Sequence, residues 1–99
     1  MGHRLTDKAE TDLDDIWLYV AKESGDVTIA QNVVFSITER FHLLATHPYA
    51  GRARDSDLGP GRRSFPIGNY VIVYSIVNSD VLILRVAHGS RDLAALMKS

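Results

Sequence analysis

The hydrophobic period of this chain changes once, between residues 47 and 62, and that change limits the fold more than any motif does. Before it the apolar residues recur at helical spacing, and after it they alternate as strands do. Ala9, Leu13, Ile16, Trp17 and Val20 fall at i, i+4, i+7, i+8 and i+11, the single stripe of an amphipathic helix, with Thr6 or Asp7 as its N-cap. Glu10, Asp12, Asp14 and Asp15 fall mostly off that stripe and read as a solvated face. Gly25 offers a left-handed stop and Asp26 the next cap. Ala30, Val33, Val34, Ile37, Phe41 and Leu44 repeat the spacing in a second helix that ends before Pro48, because a residue preceding proline avoids the helical region. Two helices joined by so short a link form an antiparallel hairpin.

Residues 49–61 carry three glycines, Pro60 and mixed charges and read as an exposed loop. Arg62–Ile67, Tyr70–Val77 and Val81–Ala87 are rich in β-branched and aromatic residues, and Asn78-Ser79-Asp80 supplies hairpin-turn chemistry between the last two. Arg4–Thr6 is extended in character. Leu93, Leu96 and Met97, after a possible Ser90 cap, suggest a short C-terminal helix. The expected order is β-α-α-β-β-β, an α+β fold with a helix hairpin packed on a small antiparallel sheet. Its 99 residues suit one domain, residues 1–99, with one core.

Composition removes several functions. With no cysteine there is no disulfide, thiol nucleophile or cysteine-based zinc site. His42 and His47 are five apart and lack the spacing of a helical metal site, and neither a Gly-x-Ser-x-Gly elbow nor a phosphate loop is present. No metal and no cofactor are expected. There is no long apolar run for a membrane span and no hydrophobic leader, so no membrane association and a cytoplasmic location are expected. Charge is unevenly placed: residues 1–47 carry four basic against eight acidic side chains, net −4, and residues 48–99 seven against four, net +3. A basic end of this kind suits an acidic partner or a phosphate backbone.

Four stretches, in order, resemble one known family. Leu5, Ala9, Asp12-Leu13, Ile16 and Tyr19 are similar to the first helix of ParE toxins, and Pro48-Tyr49-Ala50-Gly51-Arg52 to their Pro-x-x-Gly-Arg segment. Arg62-Arg63 with Tyr70-Val71-Ile72-Val73-Tyr74, and then Leu84-Arg85-Val86-Ala87-His88-Gly89-Ser90-Arg91-Asp92, resemble the C-terminal half. The resemblance implies the RelE/ParE fold and a toxin of a type II toxin–antitoxin system. It also implies a ParD-like antitoxin as partner in a hetero-oligomer and DNA gyrase as target, with no sequence-specific DNA binding by the toxin alone. Its alternative is the RelE-like branch, ribosome-dependent mRNA endoribonucleases.

The candidate target contacts are Arg62, Arg63, Arg85, His88 and Arg91. A ribonuclease would use Arg62, Arg85 and His88 for phosphate charge and proton transfer. Gly89 stands where that branch would have a tyrosine after His88, and the loop and last strand have no lysine, which favours the branch without nuclease activity. Strand alternation places Arg85 with Ile83 and Ala87, and His88 with Leu84 and Val86, unless a bulge intervenes. A purely structural role stands beside the contact role: Arg85 closing an ion pair with a first-helix acid, and His88 capping the final turn. Trp17, Tyr19, Phe35, Arg52 and Arg54 are the candidate antitoxin contacts. Among the aromatics, Trp17 and Phe41 suit the core, Tyr19 and Phe35 a partner, while Arg52 and Arg54 suit a solvated loop.

Overall fold

The computed structural model describes residues 2–98 and places two layers against each other, a helix hairpin on a twisted sheet. The elements run β1 (His3–Leu5), α1 (Asp7–Ser24), α2 (Val27–Thr46), a 3₁₀ turn (Pro48–Ala50), β2 (Arg52–Ala53), β3 (Arg62–Ile67), β4 (Tyr70–Val77), β5 (Asp80–His88) and α3 (Leu93–Lys98). The caps are those the sequence offers. Thr6 Oγ1 accepts from the Ala9 N–H, Gly25 closes α1 at φ 69°, and the Asp26 carboxylate opens α2 by accepting from Thr28 N–H. α3 is capped by Asp92, whose carboxylate accepts from Ala95 N–H, and not by Ser90.

Five strands, not the expected four, form one sheet in the order β1-β5-β4-β3-β2, and the sheet is mixed. β1 lies parallel to β5, because the helix hairpin carries the chain over one face of the sheet before it returns. The other pairings are antiparallel. β2 is a two-residue edge strand inside the segment read as loop, too short for alternation to reveal. Its loop is not wholly exposed either: Gly51 and Leu58 are buried. Asn78 and Ser79, at φ 52° and 69°, make the two-residue turn from β4 to β5.

Ile37, Phe41 and Leu44 of α2 meet Ile72 and Tyr74 of β4 and Val81 and Ile83 of β5 in a fully buried cluster, completed by Ala9 and Ile16 of α1. Each large side chain sealed there contributes about 1.5–3 kcal/mol. One irregularity decides where the functional residues point. Val73 opposes Arg85 while Tyr74 opposes Ile83, so Leu84 is an extra residue in β5. This bulge overturns the simple alternation. Ile83 faces the helices, Arg85 pairs with Val73 on the other face, and Val86 and His88 pair with the helix-facing Ile72 and Tyr70.

Candidate functional site

Beyond Leu5, β5 has no strand beside it on its β1 side, and two α1-side groups take over its backbone. Thr6 N–H donates to the Ile83 carbonyl (3.0 Å) and Thr6 Oγ1 to the Leu84 carbonyl released by the bulge (2.8 Å). Asp12 then accepts from Val86 N–H (2.9 Å) and forms a two-point ion pair with Arg85, Nε to Oδ2 at 2.9 Å and Nη2 to Oδ1 at 3.0 Å. The side chains are only 15% and 13% exposed, so water screens the pair weakly. That hydrogen bond to Asp12 is the main reason the Arg85 pKa is raised above its ordinary value. Arg85 Nη1 also reaches the Leu96 carbonyl of α3 (3.4 Å).

Asp12 therefore does not belong to a solvated face. It sits three residues after buried Ala9 and four before buried Ile16, on the flank of the stripe, and that spacing was the available signal.

Between α1 and the ends of β4 and β5 opens a groove of about 600 Å³. Its floor is apolar, from Ile16, Val86 and Tyr70, and Asp15, Tyr19, His88 and Arg91 stand around it. Tyr19 is 62% exposed. Burial, followed by the neighbouring Tyr19, pushes the Tyr70 hydroxyl pKa up. The His88 ring meets Tyr70 edge to face at 5.6 Å, and its Nδ1 contacts both Ser90 Oγ (2.8 Å) and Ser90 N–H (3.1 Å), which fixes the ring at the final turn. Asp15 and Arg91 are exposed, and among the described residues neither side chain has an ion pair. Asp15, Tyr70 and Ser90 are groove residues that sequence reasoning did not select, because only the bulge and the turn at Asn69 bring them together.

The other candidate arginines, Arg52, Arg54, Arg62 and Arg63, gather at the opposite end of the sheet. Tyr74, fully buried, donates its hydroxyl to the Pro48 carbonyl (2.7 Å) and accepts from Gly51 N–H (2.9 Å). A Cβ on Gly51 would lie 2.7 Å from the Ser64 carbonyl and 2.8 Å from Tyr74 Cε1, so only glycine fits. Arg63 hydrogen-bonds the Tyr49 and Gly51 carbonyls and lies 5.2 Å from the centre of the Tyr49 ring. Arg62 donates to the Leu58 carbonyl (2.8 Å). Arg54 pairs with Asp57 and reaches Ser64 Oγ (3.0 Å), and that pairing raises the Arg54 pKa and lowers that of Asp57. Arg54 is thus not simply solvated. Arg52, exposed, stands with Arg54, Phe65 and Val71 around a second groove of about 460 Å³.

The ribonuclease trio is not gathered around one cavity. His88 lines the first groove, whereas neither Arg62 nor Arg85 lines either groove. Of the aromatic candidates, Phe35 is 63% exposed on α2, Trp17 half-buried and Phe41 sealed in the core. No group of three or more potential metal ligands occurs among the described residues, and no described helix is long and apolar enough to cross a membrane.

This arrangement matches known proteins along nearly the whole chain. The family model described as the ParE toxin of the type II toxin–antitoxin system parDE matches residues 4–93. Toxin ParE3 of Caulobacter vibrioides is 38% identical over 84 residues, 85% of this chain and 82% of that protein. Toxin ParE1 of the same organism is 34% identical over 93 residues, 94% of each. Among solved structures, a chain of the chromosomal ParDE system from P. aeruginosa superimposes with a TM-score of 0.77 at 26% identity, covering 89% of this chain and 95% of that one. A chain of the RelBE2 toxin–antitoxin complex from Mycobacterium tuberculosis shares the fold, with a TM-score of 0.64 at 24% identity over 88% and 95% of the two chains. By its family model, its relatives and its fold, the chain belongs to the ParE toxins of type II toxin–antitoxin systems.

Proposed function

We propose that this protein is a toxin neutralised by a ParD-like antitoxin and that it acts by binding DNA gyrase, not by cutting RNA. The carrying observation is how the basic groups are used. Arg54, Arg62, Arg63 and Arg85 are engaged by carboxylates, a hydroxyl or carbonyls of their own chain, whereas among the described residues the exposed Arg91 side chain, beside His88 at the mouth of the first groove, has no ion pair, as is also true of Arg52 at the second groove. A ribonuclease needs a proton-transfer group and phosphate-stabilising charge converging on one reacting centre. Here Arg85 is turned to Asp12 and Arg62 to Leu58, away from His88. A rim cation over an apolar floor suits recognition of a protein surface instead. Arg91 and His88 are accordingly assigned to the target, while Arg62, Arg63 and Arg85, candidates for the same role, are assigned to holding the fold.

Controlled expression in a bacterium tests the reading. Gyrase inhibition predicts nucleoid damage and a DNA-damage response with ribosomal mRNA intact. Cut mRNA on ribosomes would assign the protein to the endoribonuclease branch.

A further inference from the structure

Of the large apolar and aromatic side chains among the described residues, Tyr49 is the most exposed, at 73%, and its hydroxyl has no hydrogen-bond partner among them. The ring therefore adds little to the core. The turn that carries it is nonetheless fastened along its length. Tyr74 holds the Pro48 carbonyl and the Gly51 N–H, Arg63 holds the Tyr49 and Gly51 carbonyls, and Ala50 N–H donates to the His47 carbonyl. An exposed ring on a rigid mount meets a partner without the cost of being ordered first.

The charge beside the ring is held in place but not cancelled. Arg63, half-buried, lies 5.2 Å from the ring centre. Its acceptors are neutral carbonyls and its Nε is buried without one, and, unlike Arg54 and Arg85, it has no carboxylate partner among the described residues. Residues 48–67 carry four arginines (Arg52, Arg54, Arg62, Arg63) against two aspartates (Asp55, Asp57), net +2.

We infer that Tyr49, mounted beside Arg63, is a second contact for the toxin's protein target, taking an acidic surface with an apolar side chain that packs on the exposed ring. The inference rests on the target-binding reading above and adds a contact at the other end of the sheet from Arg91. Tyrosine suits such an anchor, since its ring offers a large contact area at little entropy cost. Arg63 is a positioning residue. Its hydrogen bonds are spent on the turn, and it supplies the positive field in which a partner carboxylate settles beside the ring.

The test is a supercoiling assay with purified DNA gyrase and the full chain freed of its antitoxin. Tyr49→Ala should raise the concentration for half-inhibition about tenfold. Tyr49→Glu should raise it about a hundredfold, because a carboxylate there cancels the Arg63 charge and repels an acidic partner. Tyr49→Phe, which keeps the ring, should recover most of the potency, and Leu18→Ala, an exposed apolar change on α1, should leave it unaltered. Thermal unfolding and antitoxin affinity should stay at wild-type values in every Tyr49 variant. Wild-type potency in both Tyr49→Ala and Tyr49→Glu overturns the contact and leaves the target reading intact. So does an equal loss of antitoxin affinity, or a single-stranded oligonucleotide that binds the wild type and not Tyr49→Ala, since either gives the ring a different occupant. If the wild-type chain does not inhibit gyrase, the target reading and this contact fall together.

Discussion

The corner where β2 meets β3 and the mouth at the end of β5 are both rich in basic side chains, yet the corner holds most of its arginines in place and leaves Arg52 exposed, whereas the mouth divides its two between one sealed and one open. At the corner Arg63 is bound to the Tyr49 and Gly51 carbonyls and Arg62 to Leu58, with Tyr74 bolting the Pro48–Gly51 turn to the sheet. At the mouth one arginine, Arg85, is sealed against Asp12, and the next, Arg91, is left open beside an apolar recess. Arginine content therefore does not locate function in this fold. What separates one arginine from another in either region is whether the chain itself supplies the acceptors, because a guanidinium already held in low dielectric has little left to offer a partner.

The comparison can be broken most forcefully at Asp12. Asp12→Ala strands the shielded Arg85 charge and leaves Val86 N–H without its acceptor, and should lower stability by about 2–3 kcal/mol in denaturant unfolding. Asp12→Asn should recover part of that, and no change in either would show that the ion pair is not a fastening. For the same reason any toxicity lost in Arg85→Ala should come with lost stability.

At the corner, Tyr74→Phe removes one hydroxyl that serves both Pro48 and Gly51 and should cost about 1–2 kcal/mol, with protease cleavage appearing first near residues 49–61. Cleavage elsewhere would detach the Tyr74 hydroxyl from that turn.

His3 gives a smaller effect. It packs on Phe41 and His42, and burial, then the charge of His42, lowers its pKa below the ordinary 6.5. The unfolded chain then binds a proton at higher pH than the folded one. The stability tied to His3 is present above pH 6.5 and is lost as the pH falls through the lowered folded value. His3→Gln should flatten that decline in unfolding curves taken from pH 7.5 to 5, and an unaltered slope would place its origin elsewhere.

The smallest effect on stability belongs to Arg91. Arg91→Ala should unfold within about 0.5 kcal/mol of the wild type, as surface changes do.

Much of this architecture was legible beforehand. Thr6, Gly25 and Asp26 marked the hairpin because capping chemistry is local, and β3, β4 and the Asn78-Ser79 turn followed from alternation and turn residues. The parallel docking of β1 and the two-residue β2 were not legible, since both depend on contacts distant in sequence. At the site, Arg85, His88 and Arg91 were found as residues but not as an arrangement. Alternation alone already sets Arg85 and His88 on opposite faces, but one extra residue, Leu84, takes Arg85 off the face of Ile83 and puts Val86 and His88 there instead, and no hydropathy pattern announces a bulge. Asp12 was misread because three nearby acids on α1 looked alike, although only one lies on the flank of the buried stripe.

A supercoiling assay with purified DNA gyrase, run with the wild-type chain and with folded Arg91→Glu, tests the central claim most directly. Inhibition by the wild type and its loss in the variant is the predicted result. Undisturbed supercoiling by the wild type, in a preparation that cuts mRNA on ribosomes, would contradict it.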